Sequence, residues 1–220
     1  MKSQDVGLLL KLVCLQKQDT QVLRNSAEQR VRVPNEWRDW GETEEDKVLQ
    51  KMQLQLTDNI ELLVERYSVR ALAAETGISK SQVSLSLQRM MDVGLAKRDR
   101  RLDIPRANIS LLLDFLTSGL RFVFPARAGE LTRGISTSFA APVLEGKLMS
   151  AGELPMVWPD AKGNTKGLSV DPLFKSATLA IRRDPEMYAM LALVDAIRLG
   201  QPRERNLAVS MLKKRMETGL

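Results

Sequence analysis

Short polar side chains are concentrated between residues 79 and 89, in the stretch SKSQVSLSLQR. Glutamine and arginine side chains can form paired hydrogen bonds with the base edges of DNA. Serine hydroxyls and the N–H groups at a helix start can bind phosphate. Because serines are small, they also allow the backbone of a helix to approach a partner closely. The residue types of this stretch therefore favour recognition of a nucleic acid.

The composition excludes several common kinds of catalysis. The chain of 220 residues has no histidine and a single cysteine, Cys14. A zinc site of nitrogen and sulfur ligands is excluded, as are Ser–His–Asp and Cys–His mechanisms. A nuclease using carboxylates remains an alternative, but it needs clustered acids, and no D-x-D or E-x-K arrangement stands out. We therefore expect no catalytic residues, no metal, no cofactor and a protein that is not an enzyme.

The polar stretch belongs to the second of two short helices that are separated by a sharp turn. Ser68 is a good N-cap for the first helix, and Gly77 lies where a left-handed residue would end it. Ser79 opens the second helix, Gln82 completes a capping box, and Ile78 fills the turn. One face of the second helix should be buried. That face is predicted to contain Val83, Leu87, Met90 and Met91.

A basic segment, GLAKRDRRLDIPR, follows the second helix. Gly94 ends the helix, and a charged tip at residues 97–101 lies between apolar residues, which indicates a short β-hairpin. Residues 66–106 contain nine Lys/Arg and four acids, whereas residues 36–65 contain three Lys/Arg and nine acids. Within a chain of net charge +6, this separation predicts a positive surface around the helices and hairpin.

The order of small, apolar and capping residues resembles the winged helix-turn-helix of bacterial transcription regulators, the MarR-like group in particular. The resemblance implies that the second helix lies in the major groove of DNA and that the hairpin contacts the backbone or minor groove. The alternative is an αα-hairpin within a helical core. The residues that carry the resemblance are Ala73, Gly77, Ile78, Ser79, Val83, Leu87 and the pair Gly94-Leu95.

The candidate DNA-binding residues come from the two N-caps, the second helix and the hairpin. Serines would bind phosphate, Gln88 and Arg89 would pair with base edges, and the hairpin cations would contact the backbone. The full set is Ser68, Ser79, Lys80, Ser81, Gln82, Ser84, Leu85, Gln88, Arg89, Lys97, Arg98, Arg100 and Arg101.

Further stretches along the chain are FVFPA, GELTRG, AAP, VWP and ALVDAIR. They are similar to a largely uncharacterised family of bacterial winged-helix proteins with a C-terminal extension. The resemblance implies a two-part architecture and a regulatory role, sometimes beside toxin–antitoxin or phage-defence genes. Residues 132–134 of GELTRG could bind an anion or effector through backbone amides, but an ordered turn is the favoured interpretation.

We predict a mainly α fold with a small β wing (α+β). Residues 1–106 form a winged helix-turn-helix domain with an inserted helical segment at about 17–66, and residues 107–220 form a helical and loop domain for dimerisation or partner binding. Residues 125–175 should hold loops, one or two short strands and a hairpin around 162–164. Helices are predicted from 109 to near Pro125, from Pro185 to Leu199 and from Arg203 to Met216.

No segment has the pattern of a signal peptide or a membrane span. The N-terminal apolar run is interrupted by Lys11 and has the periodicity of an amphipathic core helix. The run at 109–124 is interrupted by charges and is too short to cross a bilayer. Together with the single cysteine, these features predict a cytoplasmic protein without membrane contact.

These inferences favour a sequence-specific DNA-binding transcriptional regulator, most simply a repressor that binds a double-stranded DNA operator as a homodimer. Dimerisation would place two recognition helices about 34 Å apart, one turn of DNA. The alternative is an antitoxin or phage-defence complex subunit. Such a subunit would act through contacts with a toxin or defence-system protein and would bind DNA for autoregulation.

Overall fold

The computed structural model describes residues 1–24, 60–147 and 154–217, so the loop and helices predicted within 25–59 lie outside the described residues. Most described residues are helical, and the rest include two small sheets, in agreement with the α+β class. The described helices are α1 (Ser3–Arg24), α2 (Ile60–Arg66), α3 (Val69–Thr76), α4 (Lys80–Asp92), α5 (Ile109–Asp114), α6 (Leu120–Val123), α7 (Ala177–Arg183), α8 (Pro185–Leu199) and α9 (Pro202–Glu217). The described strands are β1 (Ala96–Arg98), β2 (Pro105–Ala107), β3 (Ala128–Thr137), β4 (Met156–Pro159) and β5 (Thr165–Val170).

Helix α1 lies at the centre of the described molecule. The predicted helix is confirmed, but residues 5–15 are all buried, so it does not have the single buried face of an amphipathic helix. It contacts α3, α4 and β2 from the first half of the chain and α8 from the second half. Helix α1 continues to Arg24, beyond residue 17, where the inserted segment was expected to begin.

One hydrophobic core runs through both halves of the chain. Buried side chains of α1, such as Leu8 and Leu12, belong to the same cluster as Leu72 of α3 and Leu193 of α8. This continuity follows from the apolar sequence of α8, which is buried from Met187 to Ile197. The domain boundary was predicted after residue 106. The described parts of the chain on either side of it contribute to the same hydrophobic core.

The region predicted as loops, residues 125–175, contains a three-stranded sheet that closes on itself. Strand β3 pairs antiparallel with both β4 and β5, while β4 and β5 pair in parallel through Met156–Leu168 and Val157–Ser169. The hairpin predicted around 162–164 is therefore wrong, since the strands on either side are not antiparallel partners. Residues 132–134, interpreted as a turn, lie within β3.

Close backbone packing at glycines makes this small barrel feasible. A Cβ added at Gly163 would lie 2.1 Å from the carbonyl carbon of Gly134. One added at Gly134 would lie 2.0 Å from the backbone oxygen of Trp158. Only glycine can therefore occupy these positions without displacing a strand. Because GELTRG lacks the period-two alternation of a half-buried strand, its sequence does not predict β3.

A buried carboxylate joins the barrel to α8. Asp195 accepts hydrogen bonds from Thr137 Oγ1 (2.9 Å), Trp158 Nε1 (2.6 Å) and an Arg198 guanidinium N–H (2.6 Å). Burial raises the pKa of Asp195, although Arg198 and the two neutral donors oppose that effect. These bonds anchor β3 and β4 on the helical core.

The predicted C-terminal helices are confirmed as α8 and α9, which meet at Gly200. The helix predicted from residue 109 is also present, but a π-helical turn, Phe115–Gly119, separates α5 from α6. Among the described helices, none has both the length and the apolar character needed to cross a bilayer.

Candidate nucleic-acid interface

A sharp turn joins α3 to α4, and the predicted capping residues that surround it are confirmed. The Ser68 hydroxyl accepts a hydrogen bond from the Ala71 N–H (3.1 Å) at the start of α3. Gly77 ends α3 with a φ of 69°, and its N–H donates to the Ala73 carbonyl (2.9 Å). This left-handed conformation is unstrained only for a residue without a side chain. Ile78 is buried beneath the turn.

The start of α4 is capped by Ser79 and fixed to α1 by Gln82. The Ser79 hydroxyl accepts from the Gln82 N–H (3.4 Å) and lies 3.4 Å from the Ser81 hydroxyl. The predicted capping box is wrong in its second half, because the Gln82 side-chain oxygen accepts from Gln4 Nε2 (3.0 Å) instead. Ser79, Lys80 and Ser81 are exposed to solvent.

Helix α4 has one buried and one exposed face. The predicted burial of Val83 and Met90 is confirmed, while Leu87 and Met91 are partly buried. Ser86 is also fully buried on this face. The opposite face is exposed along the helix and is called the reading face below. It consists of Ser81, Ser84, Leu85, Gln88 and, at the end of the helix, Asp92.

Arg89, expected at the base edges, is held by a buried carboxylate. Its guanidinium donates to both carboxylate oxygens of Asp5, at 2.5 and 3.1 Å, and the Ser86 hydroxyl donates to the same group at 2.5 Å. Burial acts to raise the pKa of Asp5, but hydrogen bonds from Arg89, the Lys2 N–H and Ser86 outweigh burial and lower it. In the described structure, Arg89 therefore fixes α4 to α1.

The sequence contained one sign of this contact. Ser86 shares a helical face with Val83 and Met90, and a polar side chain on a buried face needs a hydrogen-bonding partner. Its partner, Asp5, is 81 residues earlier in the chain. No local pattern connects two positions so far apart, so sequence reasoning missed Asp5.

The predicted hairpin is confirmed as strands β1 and β2, which pair antiparallel with Lys97 opposite Arg106. Its loop is organised by Asp99, whose carboxylate accepts from the N–H groups of Arg101 (2.9 Å) and Leu102 (3.0 Å). These two bonds lower the pKa of Asp99. The charged tip is therefore an ordered turn.

All four predicted hairpin cations are exposed. Lys97 and Arg98 lie on β1, and Arg100 and Arg101 lie in the loop. Arg98 pairs with Asp103 at 3.1 Å, but their side chains are 58% and 81% exposed. An ion pair so open to solvent is weak, so it competes little with a polyanionic partner.

The base of the hairpin is fixed by a cluster around Asp19. Arg106 donates to Asp19 (2.7 Å) and to the Tyr67 hydroxyl (2.6 Å), while that hydroxyl donates to Asp19 (2.5 Å). Burial, reinforced by Asp19, raises the pKa of Tyr67. Arg106, counted above among the basic residues, is therefore neutralised by α1.

A third buried contact links α3 to the second half of the chain. Lys11 Nζ lies 2.8 Å from Asp184 and 3.1 Å from Glu75, which is on α3. Burial would lower the pKa of Lys11, but the two carboxylates outweigh it and raise that pKa. Asp184 also caps α8 by accepting from the N–H groups of Glu186 and Met187. Helix α1 therefore positions α3, α4 and the hairpin through separate polar contacts.

Within residues 1–24, 60–147 and 154–217, no group of three or more His, Cys, Asp or Glu is placed to hold a metal ion. No family model matches the chain, and no curated protein or solved structure matches it either. Its function is therefore inferred from the geometry of the interface itself.

Proposed function

We propose that the protein is a sequence-specific DNA-binding transcriptional regulator in which α3, α4 and the β1–β2 hairpin act as a MarR-like winged helix-turn-helix. The observation that carries this proposal is the reading face of α4. There Ser81, Ser84 and Gln88 expose hydroxyl and amide groups on a helix whose opposite face is buried. The major groove is wide enough to admit one such helix, and its base edges are recognised by these groups.

The distribution of charge supports the same proposal. Lys80 at the start of α4 and Lys97, Arg100 and Arg101 on the hairpin are exposed. The acids behind them, Asp5 and Asp19, are buried at 0% and 4% exposure and neutralised by arginines. A DNA backbone would therefore meet cations beside both the helix and the hairpin, and phosphate contacts supply much of the affinity of such complexes.

A homodimer on a palindromic operator is the simplest assembly for this activity. Two copies of α4 would then enter successive major grooves about 34 Å apart. Binding over a promoter would prevent polymerase access, so the proposed effect is repression.

Fluorescence anisotropy tests this proposal with duplexes from the region upstream of the protein's own coding sequence. A scrambled duplex of the same composition is the control. We expect one upstream duplex to bind about a thousandfold more tightly than the scrambled one. Equal affinity for both would contradict sequence-specific regulation. No binding to either at low salt would contradict DNA binding itself.

Exposed apolar residues on α6 favour a second candidate function, that of an antitoxin or defence-complex subunit. Phe122 and Val123 are adjacent, with exposures of 75% and 52%. The Arg121 guanidinium lies 5.1 Å from the centre of the Phe122 ring. Arginine and aromatic side chains are enriched at the centres of protein interfaces.

Light scattering gives the molar mass of wild type and of Phe122→Gln. It distinguishes a homodimer contact at α6 from a contact with a toxin or defence-system protein. Conversion of a dimer to a monomer would assign α6 to the homodimer of the regulator. An unchanged dimer, together with loss of a co-expressed toxin from the complex, would assign α6 to the second candidate function.

A further inference from the structure

The reading face contains one apolar side chain, Leu85, and its environment distinguishes it from other exposed leucines. Its side chain is 53% exposed. On a helix of about 100° per residue, Ser81, Ser84, Leu85 and Gln88 lie within an arc of about 100°. Leu85 therefore lies among the hydroxyl and amide groups that would face the base edges.

The chemistry of the major groove narrows what Leu85 can contact. The methyl group of thymine is the apolar group that standard bases expose there, whereas the other base edges expose hydrogen-bonding atoms. A leucine placed against those atoms would remove them from water without offering a partner, which is unfavourable. Leu85 is therefore suited to a thymine.

The amide of Gln88 is suited to a different base edge. Its Nε2 donates to Asp92 Oδ1 at 2.9 Å. A primary amide has two N–H donors and one carbonyl oxygen, so this bond uses one N–H and leaves the other N–H and the oxygen for a second partner. This donor–acceptor pair matches the N7 and N6 groups of adenine. Arg89, whose residue type pairs with guanine, is held by Asp5.

We propose that α4 recognises A·T base pairs in each operator half-site, with Leu85 against a thymine methyl and Gln88 on an adenine edge. This inference rests on the proposed function and specifies its DNA sequence class. Leu85 is then a specificity-determining residue, and Asp5 is a positioning residue that keeps Arg89 away from the bases.

Selection from duplexes with a randomised centre, using the intact protein, identifies the half-site. Each selected thymine is then replaced by deoxyuridine, which removes the methyl group and keeps the hydrogen-bonding edge. Each half-site should contain one thymine whose replacement, made singly, weakens wild-type binding about fourfold, the effect of one buried methyl group. Leu85→Ala should bind the thymine and deoxyuridine duplexes equally.

Leu131→Ala is the matched control, because Leu131 is a similarly exposed leucine (49%) on β3. It should keep the preference for thymine. Unchanged wild-type binding after every thymine replacement, or a thymine preference retained by Leu85→Ala, overturns the inference while leaving DNA binding intact. Failure to bind any duplex at low salt overturns the proposed function as well, so the two failures are distinguishable.

Discussion

Lys11 illustrates how this fold accommodates a buried charge. The side chains of Lys11 and Asp184 are 3% and 2% exposed, and Glu75 adds a second carboxylate. When one partner of a buried ion pair is removed, the other is left as an uncompensated charge. Replacing both partners with apolar groups is often tolerated. The effect of a substitution here depends on which charge remains.

Asp184→Asn should lower the free energy of unfolding by about 3 kcal/mol at neutral pH, because Lys11 loses its nearest carboxylate. Asparagine keeps the cap of α8, so the change isolates the charge. Burial acts to raise the pKa of Asp184, but Lys11 outweighs it and holds that pKa below its usual range. The wild-type advantage is therefore present above about pH 4 and is lost as pH falls through the lowered pKa.

Urea unfolding over a range of acidic to neutral pH measures this difference. Asp171→Asn, at an exposed position, is the control and should change stability by less than about 0.5 kcal/mol. Equal stability of Asp184→Asn and wild type at neutral pH would argue against a stabilising ion pair.

Arg89→Ala should lower the stability of the protein, whereas Gln88→Ala should lower its base specificity. Removing Arg89 leaves Asp5 buried with fewer partners, so we expect a loss of about 1–3 kcal/mol in the free energy of unfolding. Gln88→Ala should leave stability within about 0.5 kcal/mol. It should reduce discrimination at one base pair by about 1–3 kcal/mol.

Urea unfolding and anisotropy on the selected duplex measure the two effects. If Arg89→Ala keeps full stability and changes the preference at one base pair, then Arg89 contacts a base and leaves Asp5 in the complex.

At the scale of elements, the helices and turns could be predicted because their signals are local. Ser68, Gly77 and Ser79 cap their helices through bonds to residues three or four positions away. The three-stranded barrel could not be predicted, since it depends on non-local pairings and on backbone contacts such as that between Gly134 and Gly163. The exposed polar residues of the candidate interface could be predicted by residue type, whereas the Asp5 contact required the fold.

Gly77→Ala should destabilise the junction of α3 and α4 more than Gly94→Ala destabilises the end of α4. Both glycines have positive φ, 69° and 76°. A Cβ at Gly77 would lie 2.7 Å from the Ser176 Cβ, whereas one at Gly94 would meet nothing within 4 Å. We expect losses of about 2–4 kcal/mol for Gly77→Ala and about 1 kcal/mol for Gly94→Ala.

Urea unfolding of the two variants checks this expectation. Because the left-handed strain is common to both, their difference reports the contact with Ser176. Equal losses would show that α7 moves aside without cost.

At the scale of the whole molecule, the two acids of α1 face inward. Asp5 and Asp19 are buried and paired with Arg89 and Arg106. The exposed cations of α4 and the hairpin are therefore not cancelled by the acids of α1. Long-range attraction to DNA should depend on the hairpin cations, and base preference should depend on the reading face.

Lys97→Ala should weaken binding to the operator and to scrambled DNA by the same factor. It should also make the slope of log affinity against log salt concentration less negative by about 0.9, the loss of one phosphate contact. Anisotropy titrations between about 50 and 200 mM salt measure both quantities. Lys175→Ala, an exposed lysine between β5 and α7, should leave the slope unchanged. A loss confined to the operator would instead identify Lys97 as a base contact.

The enclosure of α1 by both halves of the chain has a practical consequence for deletion mapping. A fragment ending near residue 106 would keep α1 but uncover the apolar surface that α8 covers, and the complementary fragment would lack α1 entirely. Each piece would present a large apolar patch and tend to aggregate. Loss of DNA binding in a truncated chain would then report misfolding, so single substitutions in the intact chain of 220 residues are the appropriate probes.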